Sequence, residues 1–144
     1  MNRFGLEFHH FGLAVPQPDK ALKLLTALGY HVGLAVSDPM QMVRLTMCHH
    51  PQMPDVEIIC PSDVVSPIDR LLRRNGSLVY HLCYATRRID AALTALEREG
   101  LNIVMISGPK PAVLFGGRDV AFYSVDGFGL IELLQEQDSP STTS

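Results

Sequence analysis

The sequence predicts an α+β protein built from one β-α-β-β-β unit used twice. Three observations carry this. The chain repeats itself at an offset of 71 positions. Each repeat opens with an apolar, β-type run followed by a helical stripe. Each stripe is then followed by three shorter strand-like runs.

The repeat is the most informative of the three, because a missed repeat mis-assigns the fold. His10 falls on His81, Asp19 on Asp90, Ala21 on Ala92, Leu22 on Leu93, Leu25 on Leu96 and Gly29 on Gly100, without gaps. Within each unit, Phe8–Val15 and Leu78–Tyr84 are strand candidates. A polar turn follows: 16–19 in one half, 86–88 in the other. Ala21, Leu22, Leu24, Leu25 and Leu28 then recur at helical spacing, as do Ile89, Ala92, Leu93 and Leu96. Asp19 and Asp90 belong at the helix N-termini, where a carboxylate suits the orphan N–H groups and the dipole. Gly29 and Gly100 suit left-handed C-caps.

The first helix leads to strand-like runs at 30–36, 43–47 and 56–60, the second to runs at 101–106, 120–123 and 130–134. The organisation expected is a first module at 5–62, a linking helix within 63–77, a second module at 78–136 and a disordered polar tail at 137–144, all in one compact domain. The linking helix has Ser66 as N-cap, Pro67 in its first turn and Gly76 just past its end. The stretch Pro109–Gly117 reads as a loop, and His49-His50 as part of a solvated one.

Composition narrows the function. The chain has 144 residues, 47% of them apolar, and a formal net charge of −3. That balance gives no basic footprint for nucleic acid, and no apolar run reaches the length of a membrane span. The N-terminus runs straight into a strand-like segment without a signal-peptide pattern. Cys48, Cys60 and Cys83 lie in apolar runs without CxxC spacing and read as reduced core thiols of a cytoplasmic protein.

Four polar residues interrupt the apolar strands. His10 and His81 interrupt the first strand of each unit, and Glu57 and Glu132 the last. A carboxylate flanked by apolar residues is costly to bury unless it is paired or binds a cation. A lone strand histidine is more often a hydrogen-bonded core residue than a ligand. Two imidazoles and two carboxylates at equivalent positions of a duplicated unit share one explanation: they converge on one divalent metal ion. The neighbouring His9 is expected to face the other way. Such a ligand set suits Zn²⁺, Co²⁺, Ni²⁺ or Mn²⁺. An ion held there polarises a carbonyl and eases removal of the α-proton, with Glu132 or Glu57 as the base.

The same residues carry a family resemblance. Phe8-His9-His10-Phe11-Gly12-Leu13-Ala14-Val15 resembles the opening strand of the vicinal-oxygen-chelate superfamily, which includes glyoxalases and methylmalonyl-CoA epimerases. Residues 66–82 resemble the epimerases' middle section. Gly116–Phe122 and Gly129–Leu133 resemble their C-terminal strands. The resemblance spans most of residues 6–135. It implies a cupped, mixed eight-stranded sheet around a central site, commonly in a homodimer, with His10, Glu57, His81 and Glu132 as the metal ligands. The implied activity is a metal-dependent isomerase or epimerase moving a proton α to a carbonyl, on an acyl-CoA or acyl-carrier thioester such as methylmalonyl-CoA. Alternatives are a glyoxalase-type lyase acting on a thiol adduct and a non-catalytic small-molecule binder. One departure is visible: Met40 or Gln41 stands where the epimerases carry a glutamate base, with Asp38 the nearest carboxylate. Arg44, Lys110 and Arg118 are candidate anchors for an anionic substrate.

Overall fold

A computed structural model describes residues 2–137; the polar tail expected to be disordered falls, from 138 on, outside the described residues. The elements run β1 (Glu7–Ala14), α1 (Asp19–Ala27), β2 (His31–Val32), β3 (Val36–Asp38), β4 (Val43–His49), β5 (Asp55–Pro61), α2 (Pro67–Asn75), β6 (Leu78–Thr86), α3 (Ile89–Arg98), β7 (Ile103–Pro111), β8 (Asp119–Val125) and β9 (Gly129–Gln135). The result is a mixed α+β fold of three helices and a nine-stranded sheet.

The chain divides into two compact units. One holds His9–Leu82; the other holds the described residues before His9 and those from Cys83 onward. In the first unit the strand order is β2-β4-β5-β1-β6, with β3 also on β4. β1 and β5 are parallel, whereas β4 pairs antiparallel with β5, β2 and β3. Helix α1 begins at Asp19 and ends where Gly29 turns to φ +96°. There the Tyr30 N–H donates to the Leu25 carbonyl at 2.9 Å. This termination folds Tyr30 back onto Leu25, and both join Val15, Cys48, Ile58 and Cys60 in one core. Burying a side chain such as Ile58 is worth about 1.5–3 kcal/mol. The Tyr30 hydroxyl donates to the Pro54 carbonyl at 2.7 Å.

In the second unit the order is β6-β9-β8-β7, and β7, β8 and β9 are antiparallel. Ile89, Ala121, Tyr123, Ile131 and Leu133 form its core. The start of α3 is tied to β9: the Ile89 N–H donates to Gln135 Oε1 at 3.3 Å, and Gln135 Nε2 donates to the Arg87 carbonyl. Helix α2 begins as the sequence suggests, with Pro67 at its first position and the Ser66 N–H donating to Asp69 Oδ2 at 2.7 Å.

Three local expectations change. The run 30–36 is two short strands, β2 and β3, because the chain breaks at Gly33 and carries Leu34 into solvent. The stretch from Pro109 is not all loop, since β7 continues through Pro111 before a 3₁₀ turn at Val113–Phe115. β7 ends the strand order, and an edge strand tolerates prolines that a central one would not. His49 is the last residue of β4 and not a loop residue; its Nδ1 lies 2.7 Å from Asp55 Oδ1.

Candidate metal centre

The site grows out of the register of three strands. Gly12 on β1 lies directly beside Glu57 on β5, and Glu57 lies directly opposite Met47 on β4. Residues so paired share a sheet face, and side chains alternate along each strand. Cys48, Ile58 and Cys60 therefore point to the α1 side. His10, Gly12, Met47 and Glu57 belong to the other face. His81 comes in from β6, its ring lying over Gly12.

His10, Glu57 and His81 are buried, at 0%, 4% and 2% exposure. Nε2 of His10 lies 3.7 Å from Glu57 Oε1, and Nε2 of His81 lies 3.8 Å from the same oxygen. The two imidazoles meet edge to face, ring centres 5.6 Å apart. These separations exceed a hydrogen bond. Donor atoms each about 2.0–2.2 Å from one ion stand roughly 3–4 Å apart, which is the spacing found. Behind His10, the Nδ1 atoms of His9 and His10 are 2.8 Å apart. His9, expected to face away, thus anchors the ring from behind and turns Nε2 toward Glu57, as partners of metal-bound imidazoles do.

A Cβ at position 12 would stand 2.3 Å from His81 Cε1 and 2.6 Å from both ring nitrogens. Only glycine leaves space for the imidazole there. The donor set is thus two imidazoles and one carboxylate, buried together in a cradle that a methyl group would fill. It fits a divalent cation of borderline softness.

Glu132 lies on β9, flanked by Ile131, Leu133 and Leu134, and is 2% exposed. Its Cα partner is Phe122, and β8 in turn pairs Val120 with Lys110. Lys110 therefore shares the face of Val120, Phe122 and Glu132, half-buried and two strands over. Arg118 sits in the turn before β8, its Nε donating to the Phe115 carbonyl at 3.0 Å and its guanidinium over the Phe115 ring. Arg44 is exposed and pairs with Cys60, so the structure sets it on the opposite face from Glu57.

Asp38 is buried at 1% exposure, which sequence reasoning missed. It pairs with Val43, two alternations from Met47, and so shares the face of Glu57. Its Oδ1 accepts the N–H groups of Met40 and Gln41 at 3.0 and 3.1 Å. The turn then passes through Met42 at φ +57°. The available signal was an aspartate preceding a proline, a common turn opening. Met40 and Gln41 occupy this turn, and Met40 is exposed.

Burial raises the thiols of Cys48 and Cys60, the latter offset in part by the charge of Arg44. Burial, with smaller contributions from the charges of Asp55 and Cys48, raises the Tyr30 phenol. All three cysteines are buried and none is in a disulfide, consistent with the reading of core thiols. Among the described residues no helix is long and apolar enough to cross a membrane.

Comparison with known proteins agrees with this architecture. A search of curated proteins finds no match. Among solved structures, methylmalonyl-CoA epimerase from Mycobacterium tuberculosis is similar at 20% identity, with 96% of this chain and 93% of that one covered and a TM-score of 0.75. A hypothetical protein from Bacillus halodurans C-125 is similar at 20% identity, 93% and 96% coverage and a TM-score of 0.77. Methylmalonyl-CoA epimerase from Streptomyces coelicolor, in complex with 2-nitronate-propionyl-CoA, is similar at 20% identity, 91% and 97% coverage and a TM-score of 0.72. At this identity the likeness concerns the fold. The family model of the glyoxalase/bleomycin resistance protein/dioxygenase superfamily matches residues 9–122, most of the chain. The chain belongs to that superfamily.

Proposed function

We propose that the protein is a metal-dependent isomerase or epimerase that moves a proton α to a carbonyl, with an acyl thioester as substrate. The observation that carries this reading is the buried convergence of His10, Glu57 and His81 on one face, with Gly12 giving up its side chain to seat His81. We assign Glu132 as the fourth ligand, because it is the buried carboxylate of the second unit's last strand as Glu57 is of the first's. His10, Glu57, His81 and Glu132 would then hold one divalent ion. A cation bound there supplies Lewis acidity to the substrate's carbonyl oxygen.

The chain's own residues do the remainder. The two histidines hold position, His10 being backed by His9. Glu57 and Glu132 are themselves 4% and 2% exposed, which keeps bulk water from the carboxylates. Glu132 takes the α-proton and, for an isomerisation, returns it to the adjacent carbon; for an epimerisation the proton is delivered to the opposite face by a second carboxylate, the role open to Glu57. Met40 and Gln41 can do neither. The acyl-CoA assignment draws on the Streptomyces epimerase, which is bound to 2-nitronate-propionyl-CoA.

The test is exchange of the α-proton of small acyl-CoAs in D₂O, followed by NMR alongside the metal content of the purified protein. The expected result is about one equivalent of divalent metal and metal-dependent exchange. Purified protein that carries no metal and binds none in titration would sink the reading.

A further inference from the structure

A second row of polar residues crosses the sheet of the His9–Leu82 unit. His31 on β2 is the direct partner of His49 on β4, and Asp55 is the direct partner of His10. His49 and Asp55 join the two pairs, Nδ1 to Oδ1 at 2.7 Å. Direct partners share a face, so His31 and His49 lie on the face of His10 and Glu57, farther toward the sheet edge. β2 is the edge strand, and both imidazoles are exposed, His49 with 65% of its side chain in solvent.

The Asp55 contact matters because it holds one ring nitrogen of His49. With Nδ1 held by a carboxylate, Nε2 is left to bind. The same carboxylate–histidine pairing orients imidazoles that ligate metals. Directly opposed residues have Cβ atoms about 4.5–5.5 Å apart, within reach of one shared ion for two imidazoles. His50 takes no part: its Nδ1 accepts the Gln52 N–H at 2.9 Å and its ring lies against Tyr30.

We propose that His31 and His49, with Asp55 as the positioning carboxylate, form a second divalent-metal site at the sheet edge. Two imidazoles with water completing the shell suit Zn²⁺, Ni²⁺ or Cu²⁺ over Mg²⁺ or Ca²⁺. The site is independent of the buried centre, since none of its three residues is a ligand there.

The experiment is calorimetric titration of Zn²⁺ into the tag-free, metal-stripped full chain. The expected result is one binding equivalent, additional to any taken up by the buried centre, that disappears in the His31→Ala/His49→Ala double variant. In Asp55→Asn the same equivalent should weaken about 10–100-fold. His31→Gln alone, a mild change at an exposed position, should also remove it. A His31→Ala/His49→Ala protein that binds Zn²⁺ with the stoichiometry and affinity of the unaltered chain overturns the proposal, as does an unaltered chain that binds no Zn²⁺. His81→Ala reports separately on the buried centre. If that centre is empty, His81→Ala changes nothing while the double variant still loses its equivalent.

Discussion

The imidazole of His81 occupies the space that a side chain on Gly12 would need: a Cβ there would stand 2.3 Å from His81 Cε1. The two residues sit on different strands and far apart in sequence. Yet the identity of one sets the position of the other. Gly12→Ala should therefore push the imidazole away from Glu57. We expect a loss of about 1–3 kcal/mol from overpacking, read as a lower urea midpoint with unchanged slope. Metal retention should fall in the same variant, whereas Ala14→Gly, on the same strand, should spare retention.

Replacing Glu132 by glutamine keeps shape and removes the base. If Glu132 moves the proton, the Glu132→Gln protein saturated with metal should lose about 10²–10⁴-fold in α-proton exchange while remaining folded by circular dichroism. Glu57→Gln should act mainly on metal affinity. Equal exchange rates in Glu132→Gln and the unaltered protein would remove Glu132 from the role.

Asp38 holds the turn into β4 through two backbone N–H groups, and it does so while buried. Asp38→Ala should cost about 1–3 kcal/mol, because two donors lose their acceptor where water is scarce. Asp38→Asn keeps an oxygen in place and should cost less. Denaturant midpoints of the two variants distinguish these outcomes.

The thiols of Cys48 and Cys60 are raised by burial. A group whose folded pKa lies above its unfolded one contributes stability in full below the unfolded value. That contribution fades as pH climbs through the folded value. Stability should therefore decline on the alkaline side of the ordinary thiol range. Iodoacetamide at pH 8 should label both cysteines slowly in the native protein and quickly in urea, as counted by mass spectrometry. Arg44→Ala, by removing the charge that offsets burial, should raise the Cys60 thiol further.

Much of the fold was legible because the repeat places like residues in like elements. Both histidines and both helix-ending glycines follow from the offset of 71, whereas the two glutamates share only their place on the last strand of each unit, 75 positions apart. What escaped depends on pairings that no local pattern contains. The prolines at 109 and 111 imitate a loop, and only the edge position of β7 makes them compatible with a strand. Arg44 sits among strand residues, but its face is decided by the pairing of Met47 with Glu57 two strands into the sheet. The burial of Asp38 and the contact of Gly12 with His81 likewise exist only once distant strands are in register.

The parallel pairing of β1 with β5 has one last consequence. Parallel neighbours need a long crossover, so His10 and Glu57 meet only after α1 and β2–β4 have been laid down. His81 arrives later still. No nascent fragment ending before residue 81 can offer all three groups, and a chelator cannot strip an ion from a chain that has not yet closed. Any cation held by this set favours the finished unit over every earlier form, in proportion to the logarithm of its free concentration. If the set holds a cation as proposed, cellular metal supply would then help determine how much of this protein survives proteolysis, apart from any effect on turnover.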